Sequence, residues 1–150
     1  MRISAIPSPE ILNLQESLSD LKSVIFICGT ADPLVPYNGG KVMVLKQERG
    51  EVLSVSESVD FWKRVSGCVG DPKVTTFEDI NKRDRCTAVK TVWANPENPH
   101  VKVVNIKVEN GGHTWPGTKQ YLPRKLVGNM NRDFNGCEEI WGFFKSVKTN

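Results

Sequence analysis

The sequence predicts an α/β protein, in which strands and helices alternate along the chain. Three observations lead to this prediction. Residues 24–28 form a short apolar stretch rich in β-branched side chains, which is typical of a central strand covered on both faces. A capping-box pattern at Ser54 begins a helix, and apolar and polar residues alternate over 101–108, as in a strand with one buried face.

Length and composition are those of one globular domain. The chain has 150 residues, 39% of them hydrophobic and 25% charged, which is enough for a single core and unlike a disordered chain. The net charge of +3 is spread without a basic stripe, which argues against a nucleic-acid partner. The longest aliphatic run, 24–27, is far shorter than a membrane span. The first 22 residues do not have the pattern of a signal peptide, so none is expected in this sequence.

The first half of the chain is expected to hold one strand and one helix. The strand over 24–28 stops at a loop that contains Gly29 and the dipeptide Asp32-Pro33. Residues 37–40 form a turn, and the stretch up to residue 50 has no clear pattern. Ser54 at the N-cap and Glu57 three residues later predict a helix over 55–66, which Gly67 ends.

The second half is expected to hold two strands and a final helix. Residues 87–93 are β-branched, and a Pro-containing turn over 95–99 separates them from the strand over 101–108. A glycine loop follows and leads to His113. Asn135 at the N-cap, with Glu138 at N3, predicts the last helix.

Four cysteines are widely separated, and none forms a C-x-x-C pair, so a zinc site is not expected. Cys28 ends the apolar stretch and is interpreted as a small buried hydrophobe. Cys68 and Cys86 are the best candidates for one disulfide, because they would join the end of a helix to the start of a strand. Such a bridge would require an oxidising compartment.

Asp32 and His113 each follow a predicted strand, where the chemistry of open α/β sheets is found. Taken alone, Asp32 is an ordinary turn residue and His113 an ordinary surface histidine. Together they follow the order of acid and histidine in a Ser-Asp-His chain, in which a carboxylate orients an imidazole that deprotonates a serine. The other histidine, His100, follows Pro99 in a polar turn and is expected to be solvated.

Two long motifs resemble one enzyme group. Residues 29–40, GTADPLVPYNGG, are similar to the acid loop of the polyhydroxybutyrate depolymerase and feruloyl esterase group of α/β-hydrolases, and residues 111–117, GGHTWPG, to its histidine loop. Residues 61–68 resemble the helix after the acid, and residues 128–144 the last loop and C-terminal helix of that group. The resemblance extends from about residue 3 to 147.

The resemblance implies the C-terminal part of an α/β-hydrolase three-layer sandwich, with a partial, mainly parallel sheet and flanking helices. It implies hydrolysis of a carboxylic ester through an acyl-enzyme without a cofactor, with Asp32 as the triad acid and His113 as the general base. Trp115 would line the substrate cleft or, equally, pack structurally. The group also implies an extracellular or periplasmic location. Hydroxyalkanoate polymers, feruloyl esters and acetylated polysaccharides all remain open as substrates.

No serine lies in the G-x-S-x-G frame that would carry the nucleophile. Residues 1–150 are therefore expected to be the C-terminal half of a catalytic domain, inactive alone, with the N-terminal half as its missing partner. The strand over 24–28 would then lack its upstream neighbour, and self-association is expected. Two alternatives stay open: a non-catalytic module that binds a polymer or aromatic ligand, and a pseudogene product.

Residues 131–136 resemble the start of an EF-hand loop, but Asn131 occupies its first position and Gly142 its twelfth, where a glutamate is needed. Calcium binding there is not expected. The charges over 82–85 are of both signs, which indicates a solvated loop and not a phosphate site.

Overall fold

The computed structural model describes residues 2–3, 23–44 and 47–147. It contains seven strands and three helices in the described residues: β1 (Arg2–Ile3), β2 (Val24–Gly29), β3 (Gly40–Val44), β4 (Gln47–Val52), α1 (Val55–Val65), β5 (Lys73–Thr76), β6 (Thr87–Ala94), β7 (Lys102–Glu109), α2 (Arg124–Val127) and α3 (Gly136–Ser146). Within those ranges, no helix has both the length and the apolar character needed to cross a membrane.

Five of the strands form one sheet in the order β1-β2-β7-β6-β5, and β3 and β4 form a separate hairpin. The pairs β1–β2 and β2–β7 are parallel, whereas β7–β6 and β6–β5 are antiparallel. The sheet is therefore mixed, and the prediction of a mainly parallel sheet needs correction. The turn between β6 and β7 is short, and the backbone N–H of Asn95 donates to the Val101 carbonyl at 2.9 Å across it. A connection this short joins antiparallel strands, because parallel strands need a longer crossover.

Strand β2 has apolar contacts on both faces, as its sequence predicted. Val24 and Phe26 pack in one hydrophobic cluster with Trp62 of α1. Ile25 packs in a second cluster with Phe143 of α3. The two clusters lie on opposite faces of the sheet because successive side chains of a strand point to opposite sides. Helices thus cover both faces, and the assignment of these layers to the α/β-hydrolase fold stays a prediction.

Both long helices begin at the caps that the sequence predicted. Ser54 accepts the backbone N–H of Glu57, and the Glu57 carboxylate accepts the backbone N–H of Ser54, which completes a capping box. Asn135 accepts the amides of Cys137 and Glu138 at the start of α3. Gly67, at φ +62°, follows the end of α1 in the left-handed region that glycine favours.

The disulfide prediction is wrong, because Cys68 and Cys86 are both free thiols. Cys68 is buried in the cluster that contains α1, and Cys86 in the cluster that contains α3. The sheet lies between the two thiols. Their positions in the chain, at a helix end and a strand start, did not reveal that they face opposite sides of the sheet.

The expectation about the edge of β2 is also partly wrong. β1 pairs with the first two residues of β2, in the register Arg2 to Val24 and Ile3 to Ile25. Over Phe26 to Gly29, no strand in the described ranges pairs with this edge.

The residues that resemble an EF-hand have partners within the protein. One carboxylate oxygen of Asp133 accepts the backbone amides of Ile80 and Asn81, each at 3.0 Å. The buried Asn131 donates to the other oxygen at 2.7 Å. These bonds attach the loop before β6 to the loop before α3.

Candidate active site

Asp32 lies in the acid loop (residues 29–40), directly beyond the carboxyl end of β2. Its Oδ1 accepts the backbone amides of Leu34 at 2.8 Å and Val35 at 2.9 Å. This turn fixes the carboxylate through its own loop, as aspartate commonly does before a tight turn. The Oδ2 atom is left for a partner from elsewhere in the chain.

That partner is His113, in the histidine loop (residues 111–117) beyond the carboxyl end of β7. His113 Nδ1 lies 2.9 Å from Asp32 Oδ2, although 81 positions separate the two residues. The contact follows from the sheet, because β2 and β7 are parallel neighbours and their carboxyl ends meet at one edge. The contact confirms the arrangement that the sequence suggested, in which the carboxylate of Asp32 orients the imidazole of His113. The catalytic roles of the two residues stay predictions.

Glycines bring the two loops into backbone contact. A Cβ on Gly29 would overlap the carbonyl group of Gly111, and a Cβ on Gly112 would overlap the Val127 carbonyl oxygen. The Ala31 amide donates to the Gly111 carbonyl at 2.9 Å across the same junction. Only glycine allows this close an approach, so contacts between main chains set the separation of the two loops that carry Asp32 and His113.

The Asp32 hydrogen bond raises the pKa of His113 above its usual value, and the negative charge of the carboxylate acts in the same direction. Partial burial of the imidazole opposes this effect. A carboxylate can only accept, so a neutral His113 must carry its proton on Nδ1. Nε2 then carries a lone pair that can accept a proton. The ring can act as a base, and Asp32 stabilises its protonated form.

A cavity of about 450 Å³ adjoins the pair. Its polar groups include Asp32 and His113, and most of its wall is apolar or aromatic, with Ile27, Val35, Tyr37, Val52, Trp115 and Tyr121 among the lining residues. A mostly apolar cavity with a few convergent polar groups is the usual form of a small-molecule site. None of the lining residues in the described part of the chain is a serine.

Trp115 lies in the cavity wall and is also anchored to a helix. Its side chain lines the cavity and is 41% exposed. Its indole Nε1 also donates to Cys137 Sγ at 3.2 Å, which attaches the ring to the first turn of α3. The wall position agrees with the predicted place of Trp115 at the cleft, and its contact with a substrate stays a prediction.

The sequence interpretation missed three of the residues at this cavity: Cys28, Tyr37 and Tyr121. Cys28 was interpreted only as a small core residue. Burial, reinforced by the charge of Asp32, raises the pKa of its thiol to about 12, so Cys28 contributes a neutral thiol to the cavity wall. Tyr121 lies in an exposed loop where no periodic pattern could reveal it. His100 is exposed, as predicted.

Sequence comparison finds an esterase-type protein. The chain is 30% identical over 133 residues to a protein named "Putative esterase NocK" from Nocardia uniformis subsp. tsuyamanensis. The match covers 80% of this chain and 36% of that protein, so the chain spans about a third of the length of this relative. No family model matches the chain. No solved structure matches it either.

Proposed function

We propose that this chain supplies the acid and the base of a serine esterase of the polyhydroxybutyrate depolymerase and feruloyl esterase type, as the C-terminal half of an α/β-hydrolase domain. One observation carries the proposal: Asp32 and His113, 81 positions apart, form a 2.9 Å hydrogen bond where two parallel strands end. Two surface residues so distant in sequence rarely meet by chance. The esterase-type relative supports the same class of chemistry.

In the proposed reaction, His113 Nε2 takes the proton from a serine hydroxyl as its oxygen attacks the ester carbonyl carbon. The imidazolium, stabilised by Asp32, then gives that proton to the leaving alcohol as the carbon–oxygen bond breaks. Nε2 next takes a proton from the water that attacks the acyl carbon, and it gives this proton to the serine oxygen as the acyl–serine bond breaks and the acid is released. Asp32 stays ionised throughout and keeps the proton of the neutral ring on Nδ1.

The serine must come from a segment outside this sequence, which has no G-x-S-x-G frame. The chain spans 36% of its esterase-type relative, which leaves length for such a segment in a protein of that size. The substrate we propose is a carboxylic ester whose acyl or alcohol part occupies the aromatic cavity, such as a hydroxyalkanoate polymer, a feruloyl ester or an acetylated polysaccharide. From the resemblance to this enzyme group, we also propose an extracellular or periplasmic location for the enzyme.

The second candidate is a non-catalytic module that binds an aromatic or polymeric ligand. The observation that favours it is the cavity itself, which has aromatic walls and, in the described ranges, no serine. In that case the Asp32–His113 pair would only shape the cavity rim.

The coding DNA upstream of Met1 distinguishes the two candidates. An in-frame G-x-S-x-G motif supports the esterase, and a genuine start at Met1 with no such frame supports the binding module. The serine-containing polypeptide should hydrolyse p-nitrophenyl butyrate, and His113→Ala should lower kcat by several orders of magnitude. His100→Ala, at the other and exposed histidine, is the matched control and should leave kcat unchanged.

The 150-residue chain by itself should show no turnover, because His113 has no hydroxyl to deprotonate. Turnover by this chain that disappears in His113→Ala would show that the missing-nucleophile part of the proposal is wrong. Equal activity of the serine-containing protein and its His113→Ala variant would overturn the proposed mechanism.

A further inference from the structure

The hydroxyl of Tyr121 contacts the main chain of His113. It donates to the His113 carbonyl oxygen at 2.9 Å. The Tyr121 side chain is 59% exposed and lines the cavity beside the imidazole. A largely exposed tyrosine could direct its hydroxyl to water, but here it contacts the residue that carries the base.

Residues 120–129, which we name the clamp segment, hold the histidine loop at several further points. The His113 amide donates to the Val127 carbonyl at 2.6 Å, and the Gly112 amide donates to the Asn129 carbonyl at 2.8 Å. Both polar groups of the His113 main chain are thus bound by the clamp segment, the N–H by Val127 and the carbonyl by Tyr121. Of these two bonds to the His113 main chain, the one from Tyr121 comes from a side chain.

The two partners of the Asp32–His113 bond differ in how they are fixed. The Asp32 carboxylate is held by amides of its own loop, within three residues. His113 follows two glycines, whose backbone is the most permissive of any residue. Its imidazole therefore depends on the clamp segment for its position, and a small rotation of the His113 peptide would lengthen the bond to Asp32.

We propose that Tyr121 is a positioning residue for His113, whose hydroxyl fixes the His113 carbonyl and thereby keeps Nδ1 on Asp32. The role of this positioning in catalysis rests on the proposed function, in which His113 is the base. The hydrogen bond itself is present in this chain without a serine. The test can therefore be made on the full 150-residue chain and needs no turnover.

The experiment measures the Nδ1 proton of His113 by low-field proton NMR and follows the ring through a pH titration. In the unchanged chain, the Nδ1 proton should give an observable signal, because its hydrogen bond to Asp32 slows its exchange with water. Tyr121→Phe keeps the ring on the cavity wall and removes only the hydroxyl. We expect its Nδ1 signal to broaden through exchange, and the His113 pKa to fall towards its ordinary value of about 6.5.

Two further variants distinguish the hydroxyl from general loosening of the loop. Thr118→Val removes a hydroxyl that donates to the Trp115 carbonyl at 2.8 Å, and it should leave the His113 signal unchanged. Tyr121→Leu removes ring and hydroxyl together and should match Tyr121→Phe. Circular dichroism melts confirm that each variant is folded.

The proposal is overturned if Tyr121→Phe shows the same Nδ1 proton signal and the same His113 pKa as the unchanged chain. It is also overturned if Thr118→Val shows an equal loss, or if only Tyr121→Leu shows a loss, since the ring packing would then be responsible. Failure of the serine-containing protein to hydrolyse esters would overturn the proposed function and leave this result intact. Tyr121 would then position a non-catalytic histidine.

Discussion

The two carboxylate oxygens of Asp32 have different partners, and only one of them serves His113. Oδ1 accepts the amides of Leu34 and Val35, while Oδ2 lies 2.9 Å from His113 Nδ1. The side chain of Asp32 is 12% exposed, and that of His113 is 46% exposed. A substitution that keeps the bonds of Oδ1 but changes the atom at Oδ2 should therefore change the protonation of the His113 imidazole. The turn formed with Leu34 and Val35 should stay in place.

Asp32→Asn should lower the pKa of His113, because the hydrogen bond and the negative charge that raise it are both removed. The amide oxygen can still accept from Leu34 and Val35, so the loop should keep its shape. NMR titration of the His113 ring checks this. A His113 pKa that stays the same or rises in Asp32→Asn would contradict the electrostatic role of the carboxylate.

The same pair should make folding stability depend on pH. A pKa raised by folding stabilises the protein fully below the unfolded value of about 6.5, and this contribution is lost as the pH rises through the folded value. The difference in free energy of unfolding between the unchanged chain and Asp32→Asn should therefore be larger near pH 6 than near pH 9. Urea unfolding at both pH values measures it, and a larger difference at the higher pH would refute the assignment.

Gly112→Ala should destabilise the protein by about 1–3 kcal/mol, because its Cβ would overlap the main chain of residues 127 and 128. Gly142→Ala is the matched control. It lies in α3 with open space around it, and alanine there should be neutral or stabilise by up to about 1 kcal/mol. Thermal and urea unfolding of the two variants measure both changes in stability. Equal stability of both variants would show that the loops do not depend on this backbone contact.

Cys137 should be the first of the four cysteines to react with a thiol reagent. It is exposed, whereas Cys68 and Cys86 are buried. Burial raises the pKa values of the Cys28 and Cys86 thiols to about 12 and that of Cys68 above its usual value, so their reactive thiolates are scarce. Titration with Ellman's reagent under native conditions should show one rapid thiol, which Cys137→Ser removes. A rapid phase that persists in Cys137→Ser would contradict the prediction.

We expect the 150-residue chain to self-associate, because part of the edge of β2 lacks a partner strand in the described residues. Among the described residues, β1 pairs with Val24 and Ile25, and no strand pairs with Phe26 to Gly29 on that side. Strand edges without a neighbour can pair with other chains. Light scattering over a concentration series should show dimers or larger species. A monomer with a sharp cooperative melt at all concentrations would count against it.

Local signals in the sequence predicted the elements that local interactions form. The capping box at Ser54 and Glu57 needs only four consecutive residues, and it starts α1 as expected. The apolar stretch of β2 revealed burial on both faces. The Asp32–His113 contact was expected from the resemblance to the hydrolase group, and in the structure the parallel pairing of β2 and β7 brings the two strand ends together.

The features that the sequence did not reveal depend on which face or neighbour an element meets. Cys68 and Cys86 seemed suitable for a bridge, but the side of the sheet that each faces depends on packing and not on spacing. The β3–β4 hairpin is largely exposed and charged, so it lacks the apolar alternation that identifies a strand. Tyr121 makes one side-chain hydrogen bond to a backbone atom eight residues earlier, for which no sequence pattern exists.

The contact between Gly29 and Gly111 has a consequence for how this protein can diverge. Because two main chains meet there, most side-chain exchanges in the cavity wall should leave the separation of the loops that carry Asp32 and His113 unchanged, and Tyr121, which binds the His113 carbonyl, is the exception. Wall residues such as Val52 lie on the separate hairpin and can vary without moving that junction. Mutation can therefore reshape the cavity for a new ligand while the acid and the imidazole keep their geometry, so that ligand preference and proton transfer evolve as separate traits.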